Sequence, residues 1–491
     1  MLMTNQPVSN YEESLLNSIL QQIITEMMTS FGNSAFDLLT GKLDFANLVI
    51  ETQKSFGKTL CQLLGVMLEQ QDQVLADSSY RKQFFKIKDM RERHVDTSIG
   101  TVSFRRRYYE DVRTNERIFL LDEQIGLEKS SRLSLDLKAK LLENATHMSY
   151  HRSAQHGGPA RQSSNTVMHV VHEKGKLITA LDQLNHEKRQ APMVLFVEAD
   201  EDHVAHQDGT SHFLKMVYVH EGYDQRCPGR FSIKEPVYVT GEYPGPIGTE
   251  ELWRTVKDLI DAKYQGEPNQ FFLAGDGANW IKAGADFLPN CTLVYDKFHL
   301  KKTCQQAAVG IPGNIGLILM QWCLQGERKY LEDYFQVRLS DPQLRMTERK
   351  TIQQARTRIR SNWSSIKANT DSSFHGCSAE GHISHVLSER FSSRPMGWSQ
   401  AGTDSLSQTR VFVMQNGHVL EKLNMVNQKI QKTKRKIRVD DRISVLFKAD
   451  QEKYASAVNG AFVALKRGQG RMWQRALMRG HGDPWGYPSV K

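Results

Sequence analysis

Cysteine is scarce and scattered: six in 491 residues, Cys61, Cys227, Cys291, Cys304, Cys323 and Cys377, with no C-x-x-C pair. That argues against a disulfide framework and against a zinc finger, and leaves buried thiols as the expectation. No run of about 18 apolar residues occurs, so no helix long enough for a bilayer is expected. The opening MLMTNQPVSNYEES has neither the basic region nor the apolar core of a signal peptide. A cytoplasmic protein with no membrane partner is therefore expected. Acidic residues are outnumbered, 55 Asp and Glu against 64 Lys and Arg, and the net charge of +9 suits a polyanionic partner such as nucleic acid. The length allows more than one domain.

What is present is organised around residues 271–302. The apolar run Phe271-Phe272-Leu273-Ala274 stops at Gly275-Asp276-Gly277, and the run from Cys291 to Tyr295 stops at Asp296. Short apolar runs bounded by turn residues predict buried strands. With the helix-length connection from Ala278 to Phe287 they form a βαβ unit, in which ligands bind at the carboxyl ends of the strands. Upstream, Met193 to Val197 leads into Glu198-Ala199-Asp200-Glu201-Asp202-His203, which places Asp200 at the end of a first strand. Strand-like runs follow at Phe213 to His220 and Pro236 to Tyr243, then a helix from Thr249 to Tyr264, capped by Thr249 with Glu250 and Glu251 at its positive end. The order β-β-β-α-β-α-β predicts an α/β core over residues 190–300, a ribonuclease H-like mixed five-stranded sheet.

Residues 1–90 read as helical. Asp44 caps a long helix that carries Phe45, Leu48, Thr52, Phe56, Leu60, Leu63 and Met67 on one stripe, a helical hairpin or dimerisation element. Residues 91–130 read as a β-meander, where Arg105, Arg106 and Arg107 beside Tyr108 and Tyr109 fit a nucleic-acid surface or a solvated strand face. In residues 131–185 three short helices are predicted, Leu133 to Ala145, Ser149 to Gln155 and Ser163 to His172, the last two separated by His156-Gly157-Gly158-Pro159. They suit a helix-turn-helix-like DNA-binding region with Arg161, Ser163, Asn165 and Thr166 at the start of its recognition helix, or an ordinary hairpin, since the turn is longer than usual. Residues 301–372 form a helical insertion, 373–410 a closing helix, and 411–491 a basic region with Lys432, Lys434, Arg435, Lys436 and Arg438, then Lys466 to Arg479. That last region is a nucleic-acid arm or a solvated tail.

Asp200, Asp276 and Glu380 come from separate segments and suit one metal site. Mg²⁺, or Mn²⁺, takes oxygen ligands, and two such ions roughly 3.5 to 4 Å apart clamp the attacking and leaving oxygens of a phosphoryl displacement. Clustered carboxylates repel unless a cation occupies them. Glu198, Asp200 and Asp202 share one strand face, so the first ligand is left open between Asp200 and Asp202. The histidines at 203, 206 and 212, and the pair His382 and His385, lack an H-E-x-x-H pattern or a cysteine partner and read as satisfied polar residues.

Four segments, EADEDHV (198–204), GDGANWIK (275–282), YDKFHLKK (295–302) and AEGHISHVLSERFSSRPMGWS (379–399), resemble the bacterial ISLre-type insertion-sequence transposases, related to the Mutator-like DDE group. The resemblance covers nearly the whole chain. It implies a ribonuclease H-like catalytic domain with a helical insertion before the last acid, and a D-D-E triad of Asp200, Asp276 and Glu380. Asp296-x-x-His299 is similar to the (C/D)-x-x-H signature of the Mutator-like group, which marks His299 as a catalytic candidate. The implied activity is transposition: binding terminal inverted repeats in double-stranded DNA, metal-dependent hydrolysis at each end, and strand transfer to target DNA. A homodimer or higher oligomer on DNA, close to the bacterial nucleoid, goes with it. A ribonuclease H-like nuclease without strand transfer and a catalytically silent DNA-binding regulator are the rival expectations.

Overall fold

The computed structural model describes residues 10–184, 187–227, 230–394 and 396–433. Pro395 and the basic run from Lys434 onward, including Lys466 to Arg479, lie outside the described residues. The chain forms two compact units, one built from residues up to 141 with 151–164 and the segment from 419, the other from 142–150 and 165–418. The linear order of segments is therefore not the order of the units. Among the described residues no helix is long and apolar enough to cross a membrane.

The first unit opens with two long helices, α1 (Asn10–Leu39) and α2 (Phe45–Asp77), and the Asp44 side chain caps α2 by accepting from the Asn47 amide at 2.8 Å. The buried face of α2 differs from the expected stripe. Thr59, Cys61, Gly65, Asp72, Leu75 and Ala76 are buried, whereas Phe45, Phe56, Leu60 and Met67 are exposed. Gly65 is the reason: a Cβ there would run into the Ser103 carbonyl, so the helix rests its glycine side on the strand beneath. That strand, β2 (Gly100–Asp111), pairs antiparallel with β1 (Phe85–Thr97) and with the two-residue β3 (Arg117–Ile118). Leu120 and Leu121, within the expected β-meander, instead start a short helix, Leu120–Gln124, and fill the core with Phe85, Val102, Phe104 and Tyr109.

Helices α3 (Leu135–His147), α4 (Tyr150–His156) and α5 (Ser164–Lys174) follow. Between α4 and α5 the chain passes close to its neighbours: a Cβ at Gly157 would approach Leu141 to 2.5 Å, and one at Gly158 would meet the carbonyls of Thr97 and Ser98 at 3.1 Å. The two glycines let this long turn pack down.

The second unit holds a mixed five-stranded sheet of β4 (Val194–Ala205), β5 (Ser211–His220), β6 (Val237–Gly241), β7 (Gln270–Gly275) and β8 (Cys291–Tyr295), in the order β8-β7-β4-β5-β6. β4, β7 and β8 run parallel, and β5 and β6 are antiparallel to their neighbours. Alternation along β4 divides its side chains between two cores. Leu195, Val197 and Ala199 pack with Leu252, Trp253 and Val256 of helix α6 (Gly245–Lys263). Phe196 packs on the other face with Phe272, Ala274, Val294 and Phe374. Two expectations are corrected here. β4 does not end at Asp200, which pairs with Met216 inside the strand, because pairing with β5 carries β4 on to Ala205. Helix α6 starts at Gly245 with a proline in its first turn, so Thr249 is not its cap and its hydroxyl donates to the Gly245 carbonyl at 2.9 Å.

After β8 come α7 (Lys297–Ala307), α8 (Ile315–Gln325), α9 (Arg328–Ser340) and α10 (Met346–Ser361), which share a core of Leu300, Cys304, Leu319, Leu331, Phe335, Ile352 and Ile359. The insertion returns to its starting point, where the Asn369 amide donates to the Tyr295 carbonyl at 2.8 Å. α11 (Ala379–His382) then runs into a wider π turn, Ile383–Ser388, and α12 (Gln400–Met414) completes the unit. Arg410 of α12 is buried and donates to the carbonyls of Thr146, His385 and Val386.

Candidate active site

The polar face of β4 is where the unit's acidic residues gather. Register pairs Ala274 of β7 with Glu198 of β4, so two residues further on Asp276 comes level with Asp200. Gly275 permits that approach: a Cβ there would come within 2.7 Å of the Ala199 carbonyl. Gly277 adopts φ +79 to turn the chain, and the Asp276 carboxylate accepts from the Ala278 amide at 2.8 Å. β8 delivers Asp296 to the same level, its amide donating to the Gly275 carbonyl at 2.8 Å.

Asp200, His299 and Glu380 each offer a ligand atom, and these atoms lie within 4.8 Å of one another. Asp276 is outside this tight group, yet its charge acts on both Asp200 and His299. Asp200 is buried, and burial, joined by the charges of Asp276 and Glu380, pushes its carboxyl up to about 7 against the pull of the Glu201 amide and His299. Two carboxylates beside a buried third, with an imidazole next to them, fit a hard divalent cation, whose charge would relieve that repulsion. Asp202, the other candidate for the first position, is half-buried, and its Oδ2 has no hydrogen-bond partner among the described residues. It does not join the group. Glu389, the next acidic residue after Glu380, pairs with Arg410 at 2.8 Å instead.

His299 is oriented by the residue three positions before it. Asp296 caps α7 through the amides of Phe298 and His299, and lies 2.9 Å from His299 Nδ1. Nδ1–H donated to Asp296 leaves Nε2 for the acidic cluster. Burial opposes the imidazolium, but Asp296, Asp200 and Asp276 together outweigh it and raise the His299 pKa.

Sequence reasoning missed the residue that holds Glu380 in reach. Glu198 is almost wholly buried, and its carboxylate accepts from the Tyr218 hydroxyl, from Tyr223 at 2.9 Å, from the Ser378 amide at 2.6 Å and from Cys377 at 3.2 Å, with His220 Nε2 at 3.0 Å. Burial works against its charge, but the bonds from His220, Tyr218 and Ser378 prevail and hold its carboxyl at about 2. This one side chain thus ties β4, two residues from Asp200, to the segment just ahead of Glu380. The only trace of it in the sequence is parity with Asp200, which does not distinguish an anchor from a ligand.

The residues expected to touch DNA are distributed differently. Arg105, Arg161, Ser163 and Asn165 are exposed and Thr166 is half-buried. Arg107 is a correction: its guanidinium pairs with buried Asp72 at 2.8 Å and reaches Gln73 at 2.5 Å, because β2 turns it towards α2. Arg106 is likewise buried against Asp122 at 2.8 Å.

Comparison with known proteins places residues 38–429 in a family described as the uncharacterised protein family UPF0236. Among the relatives is a UPF0236 protein of Caldanaerobacter subterraneus subsp. tengcongensis, 30% identical over 416 residues, which span 84% of this chain and 85% of the relative. Its name joins eleven locus designations. A second UPF0236 protein of that organism, named for four loci, is 30% identical over 415 residues, again 84% of this chain and 85% of its own length.

Proposed function

Given that the chain belongs to the UPF0236 family, we propose that it is a DNA transposase of the DDE type, with a ribonuclease H-like catalytic core. The observation that carries this reading is the convergence of Asp200, His299 and Glu380 on one point, with Asp276 level beside them. The strand order β6-β5-β4-β7-β8 with only β5 antiparallel to the central strand supports the same core. Eleven loci under one protein name in a relative's genome fit an element that multiplies.

Asp200, Asp276 and Glu380 would hold two Mg²⁺ ions, or Mn²⁺. When bound, such ions lower the pKa of the attacking hydroxyl and stabilise the leaving oxyanion. The chain's own residues prepare the place. Glu198 fixes the segment that carries Glu380, and Asp296 fixes the tautomer of His299. His299, whose charge the acidic residues favour, is set to bind a phosphate oxygen or pass a proton from Nε2 to a leaving oxygen. Exposed Arg105, Arg161, Ser163 and Asn165, with Thr166, would contact the transposon ends. The exposed apolar side chains of α1 and α2, among them Phe31, Phe36, Phe56 and Leu60, suit pairing with a second copy.

The test uses full-length protein with DNA carrying the inverted repeats that flank its gene. Mg²⁺-dependent cleavage at the repeat ends, followed by joining of a pre-cut 3′ end to target DNA, is expected. Cleavage without joining would favour a nuclease. Repeat binding with neither reaction would favour a silent regulator.

A further inference from the structure

The turn that joins β4 to β5 carries a second group of ligand-type side chains that the proposed reaction does not use. His206 and His212 lie on the same face of this hairpin, since Val204 pairs with His212 and His206 follows two residues later. Their rings stack with centroids 3.7 Å apart and an interplanar angle of 6°. Asp208 stands in the turn between them, and one ligand atom from each of the three falls within 4.8 Å of the others. Glu242, at the end of β6, sits behind both rings: its Oε1 is 2.8 Å from His206 Nε2 and its Oε2 is 2.9 Å from His212 Nδ1.

Each imidazole therefore has one nitrogen facing a buried carboxylate, and the other makes no hydrogen bond among the described residues. Asp208 has a similar division, because its Oδ1 accepts both the amide and the hydroxyl of Thr210, at 2.9 and 2.6 Å, and Oδ2 takes no part in either bond. A carboxylate behind a histidine, fixing its tautomer and raising its basicity, is the usual outer support of a metal-bound imidazole. Here one carboxylate serves two. His206 and Glu242 are almost wholly buried, while the His212 side chain keeps 35% of its surface exposed, so His212 is the ring that would turn out of the stack to meet an ion.

We propose that this hairpin tip binds a divalent transition metal of the zinc class through His206, His212 and Asp208, with Glu242 as the outer carboxylate. Two nitrogens and one oxygen suit zinc, and they suit Mg²⁺ poorly, which takes oxygen ligands. Water would complete a four-coordinate ion. Glu242 also accepts from the Thr403 hydroxyl at 2.5 Å, and its amide donates to Asp404 at 2.8 Å, so the ion would brace the hairpin against the start of α12.

The experiment strips full-length protein of metal and titrates it with zinc against a chromophoric indicator, near neutral pH and with excess Mg²⁺ present to occupy the acidic site. One zinc per chain is expected. His212→Gln and Asp208→Asn should each weaken it by about tenfold or more, and Glu242→Gln by about 10- to 100-fold. Asp208 is exposed in a turn, so its variant keeps the test open should the histidine variant fold poorly, and circular dichroism checks both. Asp200→Asn should leave zinc affinity unchanged. Absence of stoichiometric zinc, or zinc that survives both His212→Gln and Asp208→Asn, would overturn the site. So would zinc lost with Asp200→Asn, which would assign the ion to the acidic cluster.

Discussion

Single side chains in the second unit separate charge from shape. Glu380 is exposed on the first turn of α11, where its effect on the helix is worth only roughly 0.3 to 1 kcal/mol. Glu380→Gln is thus expected to leave the melting temperature nearly unchanged while abolishing Mg²⁺-dependent cleavage, and Asp276→Asn to abolish cleavage with end binding retained. Normal cleavage by either variant would remove that residue from the ligand set. Asp404 offers a pH-dependent counterpart. Burial, with the charges of Glu242 and Glu251, pushes its carboxyl up to about 6, against the Glu242 amide it accepts. The folded chain then holds this proton more tightly than the unfolded chain does. Stability falls as pH rises from the ordinary carboxyl value of 3.8 towards 6, and above that range the ionised group costs about 3 kcal/mol. Asp404→Asn keeps an acceptor for the amide, so it should stabilise the protein at pH near 8, with the gain vanishing near pH 4. Denaturant midpoints at the two pH values measure it, and an equal gain at both would refute the assignment.

At the scale of elements, β2 shows that alternation alone does not assign roles: it turns Arg106 into the core and leaves Arg105 and Arg107 together on the other face. Arg105 points to solvent and Arg107 to buried Asp72. Arg107→Ala strands that carboxylate and should cost about 3 to 5 kcal/mol of stability. Arg105→Ala should leave stability alone and reduce the salt slope of DNA binding by about one. At the start of α5 and just ahead of it, Asn165→Ala and Arg161→Ala should weaken repeat DNA more than random DNA, as base contacts specify and phosphate contacts do not; equal loss on both would reduce the region to an electrostatic surface. The strands of the second unit and the helices α3 to α5 were legible in the sequence because apolar period and turn residues act locally. Asp276 could be picked out because an apolar run and a glycine turn frame it locally, whereas Asp200 was singled out by a strand end that pairing with β5 moves on to Ala205. The buried side of α2 was not legible, since Gly65 chose it through a contact with Ser103, and Glu198 was not, since its partners at 218, 220, 223 and 378 meet only in the fold. Nor could the sequence tell inward Arg107 from outward Arg105 without the position of α2.

For the whole molecule, the net charge of +9 sets an expectation independent of any one contact: affinity for random DNA should fall steeply and log-linearly with salt. A flat dependence would remove nucleic acid as the general partner. The interleaving of the two units has a consequence in time. The first unit combines residues up to 141 with Val419 and Leu423, both buried, and with Asn427, which donates to the Gly126 carbonyl at 3.0 Å. On a ribosome adding about 5 to 20 residues per second, those late residues emerge roughly a quarter of a minute to a minute after residue 141. Residues 165–418 emerge in that interval and can finish folding first. A chain truncated after His418 should consequently show protease cleavage within 10–141 while 165–418 stays resistant. Helices α1 and α2 are therefore made well before Val419, Leu423 and Asn427, which complete their unit.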